Sequence, residues 1–308
     1  MNIQRAGSVS LPARFRFEFR ISQALGSDDM DKTQAFQLIA RDVVEGHIDF
    51  PTNVQVSLRL RDALSDPDCH VDKAARLVEA EPLLAARIVA LANSVAYNPY
   101  AREISDLRSA ISRLGFAALR SLSMALVARQ MAGGALPVAC QAIADQLWQH
   151  TAHVAALSRV IARRVTGVDP EAALFAGLMH EVAGFYLLAK SPAYPGLLDG
   201  DFAEWIEVGE RQVGEPLLQA LAIPENVLAA IEVYWDGYLG MPPAGLGDTL
   251  LLAEQLSPVS SPLHRIGSGN KFPGIDAEIE VLVGEALLTE ILAESQGEVA
   301  SLYAALCF

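Results

Sequence analysis

Cationic, aromatic and thiol side chains are all scarce in this sequence. Lys and Arg number 23 against 37 Asp and Glu, a formal net charge of −14. A broad nucleic-acid surface needs clustered Lys and Arg to neutralise phosphates, so this balance argues against one. It argues equally against holding anionic membranes by bulk electrostatics. A local basic patch around Arg159, Arg163 and Arg164 stays compatible with it. The three cysteines, Cys69, Cys140 and Cys307, match no metal-ligand spacing and fit a reducing cytosol. Arg5 is followed by no continuous apolar core, so no secretory signal is read. No apolar run reaches the ~18 residues of a membrane span. A cytoplasmic location is therefore expected. Phosphate-cradling Gly-rich loops and a GxSxG nucleophile elbow are also missing. Cys140 lies ten residues before His150, with nothing to orient the two as a thiolate–imidazole pair.

The chain is rich in Ala and Leu. At 52% hydrophobic and 19% charged over 308 residues, it can bury one large core or two smaller ones. Few aromatics favour packed helices over sheet. Near the start, Phe15, Phe17 and Phe19 alternate with charged residues, a period of two that reads as a short strand or an extended arm. Helical spacing then predicts a helix over 31–45 stopped by Gly46, and further helices over 51–64, 71–80 and 82–93. Another runs from Ser105 or Asp106 to Met131, interrupted at Gly115. Helices are expected again over 202–213, 215–221, 224–234 and 248–256, then a long polar, mobile loop over 258–274. One or two helices close the chain over 275–306. Leu287, Ile291 and Leu302 there need burial, by packing on the body or by self-association.

The stretch from Gln146 to Lys190 carries the chemistry. Its first helix places His150, Val154, Leu157 and Ile161 at +4, +3 and +4, a single face. A turn at 166–170 follows, and the second helix ends in His180-Glu181. A histidine and a histidine–acid pair on successive helices can converge in one pocket.

Four pieces in order resemble a known family. They are FPTNVQVSLRLRDALSDPDCHVDKAARLVEAEPLLAARIVALANSVAY (Phe50–Tyr97), DLRSAISRLGFAALRSL (Asp106–Leu122), LWQHTAHVA (Leu147–Ala155) and AGLMHEVAGFYLL (Ala176–Leu188). Together they resemble the HDOD family, bacterial domains related to HD phosphohydrolases, over about residues 47–245. The resemblance implies an all-α, multi-helical fold with an N-terminal helical bundle and an HD-like helical lobe. The chain then divides into an N-terminal extension (1–46), the bundle (47–135), the HD-like lobe (136–256) and a loop with C-terminal helices (257–308). Family members are read as non-catalytic modules in bacterial signal transduction.

HD phosphohydrolases hold metal with a His, a His-Asp pair and a later Asp. The matching positions here are His150, His180 with Glu181, and Glu254. Both acids are Glu where the pattern has Asp. The extra bond moves the carboxylate by roughly 1.5 Å, against a tolerance of ~0.2 Å in metal–ligand distances. The HDxGK continuation of enzymatic relatives is also lost, because Ala183 and Gly184 stand at its Gly and Lys positions. Val233 and Tyr234 stand where relatives carry a later His or His-His.

The resulting expectation is a regulatory domain with no catalytic residue and no cofactor, acting through a protein partner or a small ligand. His150, His180, Glu181 and Glu254 would line a vestigial pocket, with the two histidines bonded to each other or to Glu181. Neither nucleic acid nor membrane is an expected partner, and homo-oligomerisation stays open. The alternative is a phosphohydrolase of nucleotides or cyclic nucleotides, with Mn, Fe or Zn on His150, His180 and Glu181 and Glu254 as a doubtful fourth ligand. His153 is placed beside the site. His47, His70 and His264 are read as surface residues, and Asn93 as a left-handed helix cap.

Overall fold

Runs of Leu, Ala, Val and Ile at helical spacing become helices in the computed structural model. It describes residues 31–47, 54–79, 82–132, 136, 138–266, 269–270 and 284–306. The helices are α1 (Lys32–Val44), α2 (Val54–Leu64), α3 (Val71–Glu79), α4 (Pro82–Asn93), α5 (Leu107–Ala132), α6 (Val138–Ile161), α7 (Pro170–Met179), α8 (Val182–Lys190), α9 (Glu210–Ala220), α10 (Glu225–Asp236), α11 (Leu246–Leu256) and α12 (Glu285–Leu306). The fold is all-α. Among the described residues the one β pairing is a two-residue antiparallel ladder, Arg265–Ile266 with Gly269–Asn270. The Phe15–Phe19 strand expectation lies outside the described residues, as does most of 258–274 beyond Ile266.

Local signals account for the helix ends. Asp31 and Asp169 cap α1 and α7 by accepting the backbone N–H two residues on, each at 3.0 Å. Pro170 takes the first position of α7, where its missing N–H costs nothing. Gly115 interrupts α5 as expected, with φ 75° and ψ 168° inside an otherwise continuous run. Asn93 differs from expectation. It does not adopt a left-handed cap; its amide pairs with both backbone groups of Ile104, at 2.6 and 2.8 Å, and staples the loop between α4 and α5.

The centre of the core is α6 against α7. Gly177 makes that approach possible, since a Cβ there would lie 2.5 Å from the Ala155 Cα. Helices α5, α8 and α11 pack around the pair, and α10 packs on α11. The first described helix, α1, docks on α9, with Phe36 against Trp205 at 5.4 Å between ring centroids. The last, α12, lies on α6 and α4 with Ile291 and Leu302 buried and Leu287 half-buried.

The local basic patch that the net charge left open does not stand free. Arg159 bonds Glu298 at 3.0 Å and also pairs with Glu171. Arg163 and Arg164 reach Glu294 at 2.8 and 3.0 Å. Those cations fasten α12 to the core.

One expectation needs correction. Leu107–Gln130 and Pro170–Ala193 are long and apolar enough to match a membrane span by length and composition. Their windows are 67% and 89% buried inside this fold, so the apolarity is that of core helices.

Gly177→Ala is expected to force α6 and α7 apart and to cost about 1–3 kcal/mol, the usual range for overpacking. Urea unfolding followed by circular dichroism measures it; an unchanged midpoint would contradict the close approach.

Candidate functional site

Five helix ends, the middle of α6 and one loop converge on a buried polar cluster. His150 points inward from α6. His180 closes α7 and Glu181 opens α8, so the pair sits at the junction between two helices. Glu254 lies in the last turn of α11. The structure brings together all four residues that the sequence singles out.

It adds three that sequence patterning misses. His264, expected at the surface, is 1% exposed and faces Glu181 and Glu210, its Nε2 3.7 and 3.4 Å from their carboxylate oxygens. The segment 257–264 is not a solvated loop but a strap folded over the cluster, with Ser261–His264 buried. Glu210 sits where the π-wound turn Trp205–Gly209 passes into α9. Tyr234, on α10, lies 3.2 Å from His264 Nδ1 and edge-on to His180. Helical spacing carries a signal for two of these. Glu210 shares the apolar stripe of Val213, Gly214 and Leu217, and Tyr234 that of Val227, Ala230 and Ile231. His264 offers only a buried-type neighbour, Leu263.

Other candidates fall where expected. His47 and His70 are exposed, and His153 is half-buried beside the cluster. Burial, then the nearby His150, pushes the His153 imidazole down. Cys140 meets Ser191 at 3.7 Å and no imidazole.

The two central imidazoles are fixed by their backbone partners. His150 Nδ1 is 2.7 Å from the Val259 carbonyl and His180 Nδ1 is 2.7 Å from that of Gly177. A carbonyl only accepts, so both Nδ1 atoms carry hydrogen and donate. Both Nε2 atoms therefore face inward, 3.1 Å apart. Two bare nitrogen lone pairs at that distance repel. Something positive must lie between them, either a proton or a cation.

With a proton, the charges are consistent. Burial pushes His180 down, so it is the neutral acceptor. Burial opposes charge on His150 too, but Glu254 and then Glu181 raise it. Its Nε2–H then lies between His180 Nε2 and Glu254 Oε2, the latter at 3.1 Å. Burial would raise Glu254, yet His150 and His264 hold it well below the carboxylate range. His264 is likewise opposed by burial but is pushed up to about 10 by Glu181 and Glu210. Tyr234 is raised well above its ordinary value, first by burial and then by the surrounding carboxylates.

With a cation, the residues also fit. Ligand atoms of His150, His180 and Glu181 lie within 4.8 Å of one another. Imidazole ligands held by Nδ1–H bonds to carbonyls are the usual support for metal ligation through Nε2. Both Glu181 carboxylate oxygens are buried without a hydrogen-bond partner. An unmade bond at a buried charged group costs about 1–3 kcal/mol or more, and a cation removes that cost.

The cluster is closed to solvent. His150 and Glu181 are 0% exposed and His180 and Glu210 1%. Leu263 roofs it, and Gly184 gives Leu263 its room, since a Cβ at Gly184 would lie 2.6 Å from the Leu263 methyl. Gln146 ties the strap down through the Ser260 carbonyl at 3.1 Å. A cavity of about 290 Å³ borders the strap at Pro262 and is lined also by Ile143, Gln146 and Phe202, but by none of the cluster residues.

Comparison with known proteins agrees with the architecture. The HDOD domain family model matches residues 50–236. No curated protein matches the chain. Among solved structures, a candidate metal-dependent phosphohydrolase from Shewanella amazonensis superposes with a TM-score of 0.64 at 18% identity, covering 88% of this chain and 99% of that one. An HDOD domain protein from Geobacter sulfurreducens gives 0.57 at 22% identity, covering 89% and 97%. A candidate signal transduction protein from Marinobacter aquaeolei gives 0.55 at 20% identity, covering 95% and 65%. At these identities the likeness is one of fold.

The cluster predicts how stability follows pH in chelator-treated protein. His264 titrates higher folded than its ordinary 6.5. Its contribution is thus complete below 6.5 and is lost as pH rises through about 10. Urea midpoints are expected to fall over that alkaline window, and less steeply in His264→Gln. Equal slopes in the two proteins would contradict the assignment.

Proposed function

The chain belongs to the HDOD family, and from that premise we propose that it is a non-catalytic signal-transduction domain that acts through a protein partner. The observation that carries this reading is the closed cluster. Metal-assisted hydrolysis needs an open coordination position where water and a phosphate ester meet. Here the strap, Leu263 and the packed helix ends occupy the approach to His150, His180 and Glu181. The loss of the HDxGK continuation supports the same reading. Ala183 is buried in the core, and Gly184 serves the closure of Leu263. In this role the His–Glu cluster sets the conformation that a partner senses. Whatever fills the space between the imidazoles decides how firmly the strap is held.

A second reading has one observation in its favour. The two inward Nε2 atoms and the unpartnered Glu181 oxygens make a donor set suited to a divalent ion. A metal-dependent phosphohydrolase of nucleotides or cyclic nucleotides would use His150, His180 and Glu181, with Glu254 beside them, and would have to open the strap to admit substrate.

The readings separate in an activity screen. Protein loaded with Mn²⁺, Fe²⁺ or Zn²⁺ is expected to show no turnover of phosphate monoesters, nucleotides or cyclic dinucleotides above the metal-only blank. Robust hydrolysis abolished by His180→Ala would overturn the non-catalytic reading and establish the second.

A further inference from the structure

We propose that the buried cluster is built for two divalent cations, with Glu181 shared between them and Glu210 and His264 completing a second position. The first position comprises His150, His180 and Glu181. The second is a separate triad, Glu181, Glu210 and His264, whose ligand atoms also lie within 4.8 Å of one another and whose members are all buried.

The separations within the second triad carry the argument. His264 Nε2 is 3.4 Å from Glu210 Oε2 and 3.7 Å from Glu181 Oε1. These are too long for N–H···O hydrogen bonds, which fall at about 2.7–3.2 Å. Ligands each about 2.1 Å from one cation stand roughly 3.0–3.4 Å apart, from octahedral to tetrahedral geometry. The two separations from His264 are those of co-ligands with a few tenths of an ångström to contract, and the third side of the triad, Glu181 to Glu210, lies within 4.8 Å. Buried His264 Nε2 has no hydrogen-bond partner, so a cation that displaced its proton would break no hydrogen bond there.

Glu181 links the two positions. Its Oε1 lies 3.7 Å from His150 Nε2 and also 3.7 Å from His264 Nε2. A carboxylate between two imidazole sets is the arrangement that holds two cations about 3.5–4 Å apart. The surroundings orient the second set as they do the first. Tyr234 Oη at 3.2 Å and Glu254 Oε1 at 3.8 Å face His264 Nδ1, so an Nδ1–H tautomer leaves Nε2 for the ion. Three imidazoles and two carboxylates suit Mn²⁺, Fe²⁺ or Zn²⁺ rather than Ca²⁺, which takes oxygen, or Cu⁺, which takes sulfur. The inference goes beyond the proposed function, because it holds whether or not the centre turns over an ester.

The strap bears on both positions. Val259 orients His150, and His264 is itself a ligand. Occupying the second position would therefore latch the strap from inside.

The test is Mn²⁺ binding to full-length protein stripped with chelator and refilled. Elemental analysis is expected to find two Mn per chain, and electron paramagnetic resonance a spin-coupled pair. Glu210→Gln and His264→Gln, which keep side-chain volume, are expected to hold one Mn with an uncoupled signal. One Mn per wild-type chain, an uncoupled wild-type signal at full loading, or no Mn at all would overturn the proposal. The wild-type readings decide it even if a variant fails to fold. Hydrolytic activity plays no part in the readout, so the proposed function stands or falls separately.

Discussion

Two imidazole nitrogens held 3.1 Å apart, each with its other nitrogen committed to a backbone carbonyl, set the terms for the rest of this molecule. The contact is tolerable only with positive charge between them. That charge is buried, and burying it is costly unless carboxylates stand close. Glu181, Glu254 and Glu210 supply them. Buried carboxylates in turn demand their own partners, which brings in His264 and Tyr234. Each group is thus explained by the one before it, and the chain begins at the turn where α7 ends in His180.

Packing protects this cluster rather than adding to it. Gly177 lets α6 and α7 meet closely enough for His150 and His180 to touch. Gly184 lets Leu263 settle over Glu181. The Arg159–Glu298 and Arg163–Glu294 pairs pin α12 across α6, the helix that bears His150. A buried ionic cluster by itself is a weak source of stability, since apolar side chains of equal volume often do as well or better. Its retention in an otherwise Leu- and Ala-rich core fits a role that needs the charges, as a cation site or as a conformational set-point.

Much of the molecule is legible in its sequence. The helical spacing, the Gly and Pro punctuation and the His150/His180-Glu181 pairing follow from local rules, and the family resemblance places Glu254. Three features are not legible there, for different reasons. His264 sits in a segment whose Ser, Pro and Gly content reads as solvated loop, and only tertiary contact buries it. Glu210 lies on an apolar helical stripe, but one acid in a stripe is usually an edge residue, and nothing local reveals the facing histidine. The pairing of Arg159, Arg163 and Arg164 is hidden because their partners on α12 lie over a hundred residues away. The longer Glu arms, which by covalent geometry alone would loosen metal ligation, instead lie at spacings that suit shared ligation.

The most direct test of this account is nitrogen-15 NMR of the histidine side chains in chelator-treated protein. At neutral pH His150 is predicted to be a doubly protonated imidazolium and His180 a neutral ring protonated on Nδ1, each held away from the ordinary value of 6.5 in opposite directions. Two histidines titrating together near 6.5, with the proton on Nε2 in the neutral form, would mean that the pair is open to water, and the closed cluster on which everything here depends would not exist.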